Sequence, residues 1–337
     1  TFAHGPESMN EINALTHSST EQAPWLFDWL LIHGPSSDTP YDWPVSMESW
    51  WAHYLRIATL FPARALTPID RAIIGGALAG RVAHAFCSGY HNALQQLFPG
   101  LDDQRRAALL VTERGGKSPR DIATTLTANQ DHWLLDGEKS YVSGGTAAQQ
   151  LLVLAASGET ADGRRQLKVV RLSSQQAGVT IEDLPAAAWM PEFRHGHARL
   201  QQVVVRAEDF LPGDGFADYT RPFATLESGF IFAALASHLF RLATVHRWPL
   251  AQRQSLLFLI MAYRSISDLD PRQPASEILL QGCHDQAVAI IEQCAPCLGQ
   301  LPGELSAAWQ RDSGILRMAK GTLQRSTKAW ERFGHSS

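Results

Sequence analysis

Thr112-Glu113-Arg114-Gly115-Gly116-Lys117-Ser118 and Asp136-Gly137-Glu138-Lys139-Ser140-Tyr141-Val142-Ser143-Gly144-Gly145 decide how this chain is read. The first run sets hydroxyls at 112 and 118 on either side of a glycine pair, shortly after an apolar segment. In the second, Asp-Gly reads as a turn, and Lys139 to Ser143 as a short strand closed by Gly144-Gly145. Hydroxyls at strand ends beside glycines suit a planar cofactor that carries phosphate. Side-chain O–H groups reach ring edges, and freed backbone N–H groups reach a pyrophosphate. Spacing alone also leaves open two plain strands with ordinary turns.

Outward from these runs the patterning changes twice. From Thr112 to about Pro212, short runs such as Gln150–Ala156, Gln166–Leu172, Gly178–Ile181 and Gln201–Arg206 predict a small β domain. Upstream, Trp25–Leu31 and Met47–Leu60 have helical apolar spacing, and prolines break residues 32–44. Thr67-Pro68-Ile69-Asp70 caps a helix over Ile69–Leu97, in which Gly75, Gly76 and Gly80 allow close helix crossing. No strand precedes those glycines, so they are not a dinucleotide fingerprint. Residues 101–110 read as a short helix, and residues 1–24 as an arm in which Met9 is a candidate start. Past Tyr219, four amphipathic helices at about 223–247, 252–267, 274–297 and 305–332 predict a bundle. The expected fold is α+β: an N-terminal α-helical domain over 20–111, a middle β domain over 112–213 and a C-terminal four-helix bundle over 214–337.

Composition bounds the function. With 45% hydrophobic and 18% charged residues, a chain of 337 can bury a real core. A net charge of −4, mixed rather than blocked, gives no nucleic-acid footprint. No apolar run reaches the roughly 18–20 residues of a membrane span. No basic-then-apolar leader opens the chain, and Cys87, Cys283, Cys294 and Cys297 are few, so the expected compartment is the cytoplasm. Cys294-Ala295-Pro296-Cys297 lacks a second pair, and His195-Gly196-His197 lacks an acidic or thiol partner at ligand spacing. No metal site is expected from either. Neither a nucleophile elbow nor a phosphate-binding loop is present.

The two opening runs resemble the acyl-CoA dehydrogenase superfamily, whose middle domain carries Thr-Glu-Pro-Gly-x-Gly-Ser and then Asn-Gly-x-Lys-x-Trp-Ile-Thr-Asn-Gly. Both occur here in order and in matching register. Ala177-Gly178-Val179-Thr180, Ala198-Arg199-Leu200 through Val205, and Glu208-Asp209-Phe210-Leu211-Pro212-Gly213 extend the likeness to about residues 50–330. The resemblance implies a helical domain, a middle β-barrel and a four-helix bundle, with FAD gripped by the middle domain. It puts Thr112 and Ser143 at the flavin ring, Ser118 toward the pyrophosphate, and Tyr141 as the aromatic wall where the family has Trp. Arg247 and Gln293 stand nearest to the family's FAD contacts in the bundle. Since the family's Arg contacts the FAD of a neighbouring subunit, an oligomer is implied.

The C-terminal half departs from that pattern. The glycine pair that lets backbone approach FAD becomes Pro296-Cys297. Counting from Arg311-Asp312, the family's catalytic Glu becomes Lys320, followed by Gly321-Thr322. A second base position, used by some relatives, falls on Gly229, and Glu227 lies two residues earlier. The family's Asp-x-x-Arg pair for the thioester becomes Glu227-Ser228-Gly229-Phe230. Dehydrogenation of an acyl thioester needs a carboxylate to take the α-proton, and a protonated Lys cannot take it. Three functions are therefore expected. One is an FAD-linked oxidoreductase acting on an acyl thioester, in fatty-acid-type metabolism, with a degenerate site, a weak or lost flavin grip, and Glu227 or Glu304 as substitute base. The second is a silent partner subunit of a full-length homologue. The third is a flavin-dependent monooxygenase of the same fold.

Overall fold

The computed structural model describes residues 24–32, 44–61, 65–116, 121–159, 161 and 163–334. Helices α1 (Pro24–Ile32), α2 (Met47–Tyr54), α3 (Ile57–Leu60), α4 (Pro68–Ala77) and α5 (Val82–Leu97) come first. Ser46 and Thr67 cap α2 and α4 by accepting the backbone N–H groups of Ser49 and Asp70. The single helix expected over 69–97 is instead two. The chain breaks where Gly80 presses on Pro44: a Cβ on Gly80 would lie 2.1 Å from the Pro44 carbonyl oxygen. Likewise, the run 47–60 breaks at Leu55-Arg56 into α2 and α3.

The strands are β1 (Ala107–Leu110), β2 (Thr125–Asn129), β3 (His132–Ser143), β4 (Gln150–Glu159), β5 (Arg165–Ser173), β6 (Val179–Asp183) and β7 (His195–Val205). They form one seven-stranded half-barrel, in the order β1-β4-β2-β3-β7-β6, with β5 added to β4. Residues 101–110, expected as helix, contain β1. All four of its residues are buried, and a short apolar run covered on both faces carries no period to tell strand from helix. The alternation shows in the packing. Ala108, Leu110, Leu151 and Val153 point into the sheet's own core, while Ala107, Leu109, Leu152 and Leu154 join a core shared with the helices.

The remaining helices are α6 (Arg221–Val245), α7 (Leu250–Ile266), α8 (Pro274–Gln293), α9 (Ala295–Gly299), α10 (Gly303–Asp312) and α11 (Leu323–Glu331). The expected helix over 274–297 ends early, because Pro296 has no N–H to continue it. The helix expected over 305–332 is interrupted by a tighter 3-10 segment, Ser313–Gly321, with Gly314 and Gly321 near its ends. Gly215–Val245 is long and apolar enough to cross a membrane, but 89% of its most apolar window is buried inside the protein, as a central helix should be. It packs backbone to backbone on α4 and α5. A Cβ on Gly89 would lie 2.4 Å from Ile231 Cα, and one on Gly76 would lie 2.2 Å from the Ala234 carbonyl oxygen. The α6 stripe Phe223, Glu227, Phe230 and Ala234, spaced three and four residues apart, therefore faces α4 and α5.

Candidate functional site

The two motifs that open the sequence are bonded to each other. Ser140 donates its N–H to the Thr112 carbonyl at 2.9 Å. The Lys139 side chain is fully buried and reaches Glu113 Oε1 at 2.7 Å and the Val111 carbonyl at 3.3 Å. Glu113 also accepts from Thr124 Oγ1 at 2.6 Å, Thr124 N at 3.1 Å and Ala123 N at 2.6 Å. Burial alone would raise the Glu113 pKa; the bonds from Lys139, Thr124 and Ala123 outweigh it and hold the carboxyl below its ordinary range. Burial likewise lowers Lys139, against the pull of Glu113. The pair is a structural staple, and removing one partner would strand a buried charge.

Asp136-Gly137 is not the expected turn. Strand β3 runs straight through it with a register shift, and Gly137 adopts φ +150° against Thr124, whose Oγ1 would lie 2.5 Å from an added Cβ. A second shift falls at Tyr141, between the pairs Ser140–His197 and Val142–Gly196. Tyr141 takes φ +63°, which a non-glycine residue adopts only when its surroundings demand it, and the residue is 63% exposed. Thr112 is exposed beside it, and Ser143 is half-buried where the strand ends at Gly144. The bulge thus turns an aromatic ring and two hydroxyls outward along one end of the sheet.

Helices α5 and α6 bring further groups to that end. Tyr90 accepts the Leu109 N–H at 3.0 Å, and its hydroxyl lies near the Ser143 side chain. Its ring meets Phe223 edge-on at 5.7 Å. Glu227 lies one turn beyond Phe223 on the same stripe, close enough that its charge acts on Tyr90. Burial pushes its carboxyl up to about 7, against the lowering pull of Arg325. Counting from Gly229 points Glu227 away from the site; the packing of α6 on α5 points it in. Gly229 faces the other way, where an added Cβ would touch Leu280 at 3.5 Å.

Next to Ser143 and Tyr90 lies a cavity of about 90 Å³. Its buried end holds Met47, Cys87, Tyr90 and Phe193, and its open end holds Glu48 and Arg194. One wall, the loop before β7, is latched to the bundle: Met190 donates its N–H to Asp312 at 2.7 Å, and Arg311 bridges Asp312 and Glu192 at 2.6 and 2.9 Å.

The other expected residues do not converge here. Lys320 is exposed on the 3-10 segment, Gln293 is exposed at the end of α8, and Arg247 is exposed at φ +52° after α6. Glu304 is exposed at the start of α10. Ser118 lies outside the described residues. Cys294 is buried and Cys297 half-buried, both as free thiols. His197 pairs with Glu138 at 3.2 Å, and no group of three His, Cys, Asp or Glu able to hold a metal occurs among the described residues. Tyr90, Cys87 and Phe193 had no signal in the sequence, and Arg311-Asp312 none beyond its resemblance, because each acts through a contact distant along the chain.

Residues 108–203 match the family model described as acyl-CoA dehydrogenase, middle domain. No curated protein matches by sequence. Among solved structures, PigA with FAD and proline is similar at a TM-score of 0.67 and 11% identity, over 94% of this chain and 99% of that one. A putative acyl-CoA dehydrogenase from Mycobacterium smegmatis matches at 0.63 and 13%, over 99% of both chains. Butyryl-CoA dehydrogenase from Megasphaera elsdenii matches at 0.58 and 14%, over 98% and 100%. Residues 108–203 thus match the acyl-CoA dehydrogenase middle domain, and the chain as a whole shares the fold of these solved structures.

Proposed function

We propose that the protein is an FAD-linked oxidoreductase acting on an acyl thioester, with Glu227 rather than Lys320 as its base. The observation that carries this reading is the meeting of Ser143, Tyr90 and Glu227 at one junction of the sheet with α5 and α6. The residues fit the cofactor. Thr112 and Ser143 offer hydroxyls and Tyr141 an exposed ring, and Gly115, at φ +82°, leaves open space where a Cβ would stand. Bound there, FAD supplies a two-electron acceptor for the hydride that leaves the β-carbon. Thr112 and Ser143 would hold the ring edge and Tyr141 would cover it. Glu227 would take the α-proton, and a carboxyl with a pKa of about 7 is matched to that task near neutral pH. PigA, solved with FAD and proline, and butyryl-CoA dehydrogenase share this fold, which supports a flavin-linked reading.

The exposed positions of Lys320, Gln293 and Arg247 favour a second reading, in which the chain is the silent subunit of a heteromer. Exposed apolar residues on α7 (Phe258, Met261) and α11 (Leu323, Trp330) support assembly, with a second copy or with a full-length homologue. Anaerobic titration of the flavin-loaded protein with a panel of acyl thioesters tests both. Bleaching of the flavin band that is lost in Glu227→Gln supports the oxidoreductase. A band that no thioester bleaches, recovered on mixing with a full-length homologue, supports the silent subunit. Substrate oxygenation by reduced flavin and O2 would replace both with a monooxygenase.

A further inference from the structure

Glu227 is half-buried and makes no hydrogen bond or ion pair among the described residues. The cation that acts on it is Arg325 of α11. We infer that Arg325 is a positioning residue for the proposed base: clamped by Glu277, it favours the carboxylate of Glu227 from a distance and leaves both carboxylate oxygens free. The inference rests on the oxidoreductase reading and names the residue that tunes its base.

Arg325 is held where it cannot swing onto Glu227. Its Nε donates to the two Glu277 oxygens at 3.0 and 3.1 Å, and its Nη1 donates to the Gly321 carbonyl at 3.1 Å. Glu277, on α8, also accepts from Thr225 Oγ1 at 2.6 Å. Thr225 lies on α6 two residues before Glu227, so the guanidinium stands two hydrogen bonds from the turn that carries the base. That turn is pinned again one residue past Glu227. Ser228 Oγ and His284 Nε2 of α8 are 2.8 Å apart, and Tyr263 of α7 holds His284 Nδ1 at 2.7 Å. The other titratable groups around the turn supply no second cation. Burial brings the His284 imidazole down to about 3 and lifts the Tyr90 phenol, so both are neutral. Lys320 is exposed on the 3-10 segment. A direct ion pair would favour the carboxylate more strongly but would occupy the lone pairs that must receive the α-proton. A cation held at a distance supports the charge and leaves those lone pairs open.

A carbon-13 carboxyl NMR titration of the full-length, glutamate-labelled protein tests this in the absence of thioester, with Glu227→Gln to identify the signal. The wild-type midpoint should lie at about 7. Loss of the cation disfavours the carboxylate, so Arg325→Gln should raise the midpoint by about half to one pH unit. Arg325→Lys should bring most of it back. Arg325→Gln combined with Glu277→Gln, which strands no charge, offers the same readout should the single variant not fold. A midpoint unmoved in folded Arg325→Gln, or raised equally in Arg325→Lys, would overturn the inference. In the FAD-loaded protein, the pH profile of flavin bleaching by butyryl-CoA should move upward with the midpoint. A midpoint that moves while the bleaching profile stays in place would uphold the coupling of Arg325 to Glu227 and overturn Glu227 as the base.

Discussion

The wall made by β1 and β3 and the bundle place their polar residues in contrasting ways. In the wall, Glu113 and Lys139 are buried and bonded to each other, to Thr124 and to backbone. In the bundle, Lys320, Gln293 and Arg247 stand exposed on separate elements. The difference shows what kind of residue keeps a motif in place. Glu113 and Lys139 are required by the fold whether or not a ligand is bound. A side chain whose only partner is a ligand can be exchanged with little cost to the fold.

The largest expected effect would break this comparison directly. Lys139→Met leaves Glu113 buried without its cation and should cost about 3–5 kcal/mol in a urea titration. If it costs under about 1 kcal/mol, the staple is not what holds the two motifs together. Next comes the ligand side of the same wall. Thr112→Ala with Ser143→Ala removes two hydrogen bonds of about 0.5–1.5 kcal/mol each, so the FAD dissociation constant measured by equilibrium dialysis should rise by one to two orders of magnitude. Unchanged flavin affinity would place the cofactor elsewhere.

Glu227 sharpens the comparison through pH. Its folded carboxyl titrates at about 7 against an ordinary 4.5, so the fold prefers the protonated form. Stability is therefore intact below the ordinary value and falls as pH rises from about 4.5 through 7. Glu227→Gln removes this loss and should be more stable than wild type at pH 8 by about 1–2 kcal/mol, with no advantage at pH 4. Equal stability curves from pH 4 to 8 would show that the carboxyl is well solvated and not tuned as a base. The smallest effect belongs to the bundle: Lys320→Glu should change stability by no more than about 0.5 kcal/mol and confer no new thioester-dependent flavin bleaching. Strong bleaching in that variant alone would restore position 320 as the base site.

The parts of the fold legible in the sequence were those whose causes are local. The proline and the Thr67 cap that open α4, the alternation of β4 and the long apolar helix α6 all follow from neighbours within a few residues. Two of the misreadings came from distant contacts. Gly80 breaks a helix because Pro44 touches it, and β1 is a strand because β4 and the helical core cover both its faces. At the candidate site, resemblance to known motifs singled out Thr112, Tyr141 and Ser143. The bulge that turns Tyr141 outward depends on pairing with β7, and the direction of Glu227 depends on two glycines, at 76 and 89, in another domain.

On the proposed flavin reading, the Glu113–Lys139 staple also bears on when the cofactor is loaded. Because the two halves of the wall are clasped by their own charges, the cofactor is not needed as a template for building them. A chain synthesised when flavin is scarce would fold to the same shape and be filled later, so cofactor supply would govern its activity rather than its abundance.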